Sequence, residues 1–228
     1  MVPFHSSREG CDNMTKGRIE KRGTRKRQIK KVILIVTEGA RTEPKYFAHF
    51  RTRHTNIDIQ VVGSKTGGGK TDYMNLLQKA QEYQKKNQLS SANGDSVWVV
   101  ADGDVDYNNP NAVTSKNQQL NKVRKLAERS DIQIAISNPC FEFWYLLHFR
   151  YTTKYMKNYN AVKNELVPFL PEYGKTDDVF TELASKMESA IQNAEKVEKY
   201  HLNDGISIPF NVSINPFTEV YSLVKILK

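Results

Sequence analysis

Acidic residues recur just beyond the apolar runs of this chain. Val32–Val36 leads to Glu38, and Val97–Ala101 leads to Asp102-Gly103-Asp104 with Asp106 close behind. Ile132–Ile136 leads through Ser137-Asn138 to Glu142. None of these chemically capable positions is histidine or cysteine. Carboxylate oxygens alone favour hard cations such as Mg²⁺ or Mn²⁺. Acids crowded together repel one another and raise each other's pKa unless a cation neutralises them. The predicted chemistry is metal-assisted work on a phosphate. Glu38, Asp102 and Asp104 are the expected ligands and the catalytic set, and Asp106 and Glu142 serve a second ion or its surroundings. The competing reading makes the same acids helix caps and turn formers.

The elements that must carry these acids alternate. Lys31–Val36 is a continuous apolar, β-branched run and Val97–Ala101 is fully apolar, the pattern of buried strands; Ile57–Val62 and Ile132–Ile136 read as two further strands. Helices are expected from Thr42 (as N-cap, with Pro44 in the first turn), over Asp72–Lys86, over Gln118–Arg129 and over Phe141–Phe149. Four such units predict an α/β fold with a mostly parallel sheet and helices on both faces. In such sheets ligands bind at the carboxyl ends of the strands, where the acids fall. Residues 151–228 are expected to be mainly helical and packed on the 31–150 core. They hold a stripe of Leu183, Met187, Ile191, Ala194 and Val197, a strand or loop over Gly205–Ile214, and a closing helix over Val220–Leu227.

The chain has 228 residues, 39% hydrophobic and 26% charged, enough for a buried core. No apolar run approaches the ~20 residues that span a bilayer. No secretory leader is evident, and Met14 is an alternative start. Two cysteines, Cys11 and Cys140, cannot build a disulfide framework, so a cytoplasmic setting is expected. The net charge of +9 is concentrated at one end. Residues 1–31 hold ten Lys/Arg against three acids, and the remainder is almost balanced. Residues 1–30 thus form a basic arm, expected to be flexible, that suits nucleic acid as a partner; a solvated leader is the plain alternative. Arg41, Lys45, Lys65 and Lys70 are candidate phosphate contacts.

Three segments carry a resemblance: Glu38-Gly39-Ala40-Arg41-Thr42-Glu43-Pro44-Lys45-Tyr46-Phe47, then Ser137-Asn138-Pro139-Cys140-Phe141-Glu142-Phe143-Trp144 through His148-Phe149, and Asn215-Pro216-Phe217-Thr218-Glu219-Val220-Tyr221. Together with the Glu-Gly and Asp-x-Asp strand ends they resemble the RloB-like family of Toprim-fold bacterial defence proteins, over about residues 31–228. The resemblance implies a Toprim-like core, a metal-dependent nuclease of RNA or DNA, and a role in anti-phage defence or abortive infection. It also implies a partner ATPase. Glu38 would further act as general acid/base. A homo-oligomer is compatible with the sequence.

Other readings stay open. Gly63–Thr71 ends like a P-loop but has Ser64 where that motif needs its first glycine. Trp98–Val105 fits a haloacid-dehalogenase-like phosphatase, with Asp102 as nucleophile and Ser137, Lys175 and Asp177-Asp178 as the remaining parts. Against it, two strand–helix units precede the Asp-x-Asp. The aromatic cluster Phe141, Phe143, Trp144, Tyr145 and Phe149 reads as core rather than as a base-stacking platform, and His148 as a packed residue. A non-catalytic module that binds nucleic acid or an ATPase is the last alternative.

Overall fold

A computed structural model describes residues 1, 30–51, 57–63 and 72–228. Nearly all of the basic arm, Lys65, Lys70 and the P-loop-like stretch after Gly63 lie outside the described residues. Four strands are parallel: β1 (Lys31–Thr37), β2 (Ile57–Gly63), β3 (Ser96–Asp102) and β4 (Ile132–Asn138). A two-residue strand, β5 (Phe217–Thr218), pairs antiparallel with β4. The sheet order is β2-β1-β3-β4-β5. This is the expected α/β class with a mostly parallel sheet.

The helices are α1 (Thr42–Ala48), α2 (Tyr73–Lys86), α3 (Pro110–Arg129), α4 (Glu142–Phe149), α5 (Tyr159–Leu166), α6 (Phe180–Ala184), α7 (Met187–Asn203) and α8 (Val220–Leu227). Asp72 caps α2 by accepting from the Met74 and Asn75 amides, and Asn109 caps α3 ahead of Pro110. That cap starts α3 eight residues before its apolar periodicity becomes visible, because the first two turns are mostly polar, with Lys116 set over Tyr73 and Asn117 bonded to Val212 and Ser213. At α1 the cap position belongs to Arg41, not Thr42. Thr42 is already helical, and its hydroxyl donates to the Lys175 carbonyl at 2.8 Å.

Residues 151–228 are less helical than their stripes suggest. Proline at 168, 171, 209 and 216 interrupts the pattern; of the strand or loop expected over Gly205–Ile214 the structure shows the loop, and a two-residue strand follows at Phe217–Thr218. The core runs along β1 and β3, where Leu34, Ile35, Val36 and Val97–Ala101 are buried. It continues into α4, whose Phe143, Trp144, Leu146 and Leu147 have no exposed surface. Helix α4 is buried almost all round because α7 and α5 cover it together with the sheet. Trp144 Nε1 donates to the Tyr46 hydroxyl at 2.7 Å, which joins α4 to α1. The aromatic cluster is therefore core, as expected. His148 is buried with Nδ1 on the Trp144 carbonyl. Among the described residues no helix is long and apolar enough to cross a membrane.

Candidate active site

Strand order decides which acids meet. Because β1 lies beside β3, and β3 beside β4, the three strand ends fall in one row. The Glu38 N–H donates to the Val100 carbonyl at 3.0 Å, which extends the ladder by one residue. Its side chain then reaches across, and Glu38 Oε2 accepts the Asp102 N–H at 3.0 Å. Asp102 in turn stands opposite Ser137. Glu142 follows on α4, buried, and accepts from the Tyr173 hydroxyl at 3.2 Å.

One further acid belongs here. Glu43, in the first turn of α1, is buried and its Oε1 accepts the Gly39 N–H at 3.1 Å. A Cβ on Gly39 would overlap that carboxylate, which explains the glycine after Glu38. Burial, reinforced by Glu142 and Glu38, pushes the Glu43 carboxyl up to about 7. Burial also raises Asp102 well above the carboxylate range, and Glu43, Glu38 and Glu142 raise it further. The four acids thus share one field. Nothing in the sequence reading selected Glu43; its signal was an acid in the helix turn that follows a carboxylate-bearing strand end.

Positive charge comes from two directions. Lys175 arrives on the loop between α5 and α6, held by Thr42 through its carbonyl. Burial alone would lower its ammonium, but Glu142 and Asp102 outweigh that and hold it above the usual lysine range. Lys116 of α3 approaches from the other side, 4.5 Å above the Tyr73 ring. Burial lowers Lys116 against the pull of Glu38, Asp104 and Asp102. Tyr73 closes the floor, its hydroxyl donating to the Asp102 carbonyl at 3.0 Å. Lys175 entered the sequence reading only as part of the phosphatase alternative, and Lys116 did not enter at all.

The remaining predicted residues are spread more widely. Asp104 is exposed, at φ +37°, and its charge reaches Tyr73 and Lys116. Gly103 before it has no room for a Cβ, since the Asn138 side chain fills that space. Asp106 is exposed and its Oδ1 accepts the Asn108 N–H at 3.0 Å, the turn-forming role. Arg41 is exposed at the cap position of α1. Lys45 donates to the Thr176 carbonyl and helps to hold the Lys175 loop. Ser137 is buried with its hydroxyl 2.7 Å from that of Thr218.

Glu38, Asp102 and Asp104, backed by Glu43 and Glu142, form an all-oxygen donor set, which fits a hard divalent cation chemically. The side chains as placed do not form a ligand shell: among the described residues no group of three His, Cys, Asp or Glu is arranged to hold a metal ion.

The sequence model for RloB-like proteins matches residues 33–227, from β1 to the end of α8. The chain belongs to the RloB-like family. No curated protein and no solved structure matches it. Within this RloB-like chain the three motif segments have different tasks. Two of them supply Glu38, Glu43 and Glu142. The third supplies Asn215, which pairs with the Met156 backbone, and Glu219, whose Oε2 accepts the Ile136 N–H at 2.9 Å.

Proposed function

We infer that this RloB-like chain is a divalent-cation-dependent nuclease of Toprim type, cleaving phosphodiester bonds in RNA or DNA. The observation that carries the reading is the 3.0 Å bond from the Asp102 N–H to Glu38 Oε2, which unites the ends of two buried strands. Its role in bacterial anti-phage defence, beside a partner ATPase, rests on family membership alone.

Glu38, Asp102 and Asp104 would hold Mg²⁺ or Mn²⁺, with Glu43 and Glu142 adding to the negative field. Such a cation supplies charge neutralisation at the phosphate and a lowered pKa of water. Glu38, half-buried at the mouth of the set, takes or returns a proton at its carboxylate. Lys175 and Lys116 offset charge that develops on phosphate oxygens. Arg41, exposed at the cap position of α1, would grip a phosphate bidentately.

One observation favours a second reading, in which Asp102 is the nucleophile of a phosphatase: the Lys175 charge reaches Asp102. Against it, the Ser137 hydroxyl is bonded to Thr218, and the Asp177 carboxylate accepts the Gly174 N–H at 2.7 Å.

The deciding experiment incubates the purified chain with labelled tRNA, single-stranded DNA and duplex DNA, under Mg²⁺, Mn²⁺ or EDTA, beside a phosphomonoester. Metal-dependent scission abolished by both Glu38→Gln and Asp102→Asn is expected. Monoester turnover lost in Asp102→Asn alone would move the assignment to the phosphatase. Binding without scission under every condition, the ATPase partner included, would make this a non-catalytic module.

A further inference from the structure

Residues 150–158 run between α4 and α5 without a helix or strand ladder, yet their backbone is pinned. Met156 is buried. Its N–H donates to Asn215 Oδ1 at 3.0 Å, and its carbonyl accepts from Asn215 Nδ2 at 2.8 Å. Asn215 therefore does the work of a neighbouring strand. With Met156 held inward, the residues on either side are left outside. Tyr155 is 54% exposed and Lys157 is exposed. Tyr151, earlier on the same segment, is 43% exposed.

This ledge adjoins the carboxylate edge. The Tyr155 ring meets the Tyr107 ring edge-on at 5.6 Å, and Tyr107 directly follows Asp106. Tyr107 is itself fixed, its hydroxyl donating to the Val212 carbonyl at 2.9 Å. Lys157 and Asn158 share a cavity of about 360 Å³ with Asp104, Asp106 and Asn108. Arg150 and Lys154 are both drawn onto Glu165, which leaves the phosphate-facing role to Lys157.

A rigidly backed, exposed tyrosine presents a flat apolar face to solvent. The complementary partner is another flat face, and every unpaired nucleobase has one. A duplex keeps its base faces stacked inside, out of reach of such a ring. Asp104 and Asp106 repel phosphate, so stacking rather than charge must supply most of the affinity.

We propose that the Tyr151–Lys157 ledge binds single-stranded nucleic acid, with unpaired bases stacked on Tyr155 and Tyr151 and the backbone held by Lys157 beside the carboxylate edge. The proposal rests on the nuclease reading of that edge and names its substrate as unpaired strand.

The test is fluorescence anisotropy of the full chain in EDTA, with one sequence offered as labelled single-stranded RNA, single-stranded DNA and blunt duplex DNA. High ionic strength screens the basic arm. Expected are tighter binding of at least one single strand than of duplex, about tenfold weaker binding of that strand by Tyr155→Ala, and near wild-type binding by Tyr155→Phe. Tyr151→Ala should weaken it as well, and circular dichroism confirms that both alanine variants fold. Preference for duplex, no measurable binding of any strand, or an unchanged affinity in both alanine variants overturns the ledge. Glu38→Gln separates the two readings: it should bind single strands like wild type while failing to cut. If wild type binds them through Tyr155 but never cuts, the nuclease reading fails and the ledge stands.

Discussion

The Glu43 carboxylate occupies the space that a side chain on Gly39 would need, and it accepts the Gly39 N–H at 3.1 Å. The glycine following Glu38 and the acid four positions after that glycine are thus one structural unit. That unit brings a helix-borne acid against a strand-borne one.

Gly39→Ala should therefore evict the Glu43 carboxylate and cost about 1–2 kcal/mol in urea unfolding. In the Glu43→Ala background the overlapping group is gone, so the same substitution should cost far less. Additive costs would show that the two residues do not touch.

Glu43 also predicts a pH dependence. Its carboxyl lies at about 7 in the folded chain against 4.5 when unfolded. Between those values the native state holds more protons than the unfolded one. The contribution of Glu43 to stability is therefore full below 4.5 and is lost as pH rises through 7. The full cost is on the order of 3 kcal/mol. Glu43→Gln keeps the shape and cannot ionise. It should match wild type near pH 4 and exceed it at pH 8, read as the difference in urea midpoints at the two pH values. A gap that does not change with pH refutes the assignment.

Lys175 faces Glu142 and Asp102. Lys175→Met should lower the thermal midpoint by about 3–5 °C at pH 8 in EDTA. Millimolar Mg²⁺ should close most of that gap if the acids bind the cation, since a bound ion replaces the missing charge. A gap equal with and without Mg²⁺ would argue that the cluster takes up no cation.

Arg124 and Glu219 form a largely buried pair at 2.8 Å, and Glu219 also bonds the Ile136 N–H. Arg124→Ala leaves that carboxylate without its cation and should destabilise the fold by about 3–5 kcal/mol. Arg124→Ala combined with Glu219→Gln should recover part of the loss, because the amide can still accept the Ile136 N–H without carrying charge. Equal stability of the single and double variants would contradict the pair's importance.

Local pattern carried the sheet. Val32–Val36 and Val97–Ala101 are apolar without alternation because both faces of their strands are covered, and that leaves a mark in consecutive residues. The acids just past them were legible for the same reason, since a strand's end can be read from where its apolar run stops. The closing helix Val220–Leu227 followed from periodicity in the same way.

What consecutive residues could not carry was adjacency. The sequence orders the strands 1-2-3-4, and folding sets β1 between β2 and β3. That placement alone lets Glu38 reach the Asp102 amide, 64 positions away. Glu43 looks like an ordinary first-turn acid until α1 packs its carboxylate against Gly39. Lys175 looks like a loop lysine until Thr42 holds its carbonyl. The sequence by itself determined which segments were strands and which side chains stood at their ends, because burial and hydrogen bonding along one element are local. The tertiary structure decided which ends met and which acids shared a field. Coulomb interaction and desolvation depend on distance through space, and distance along the chain is a poor guide to it.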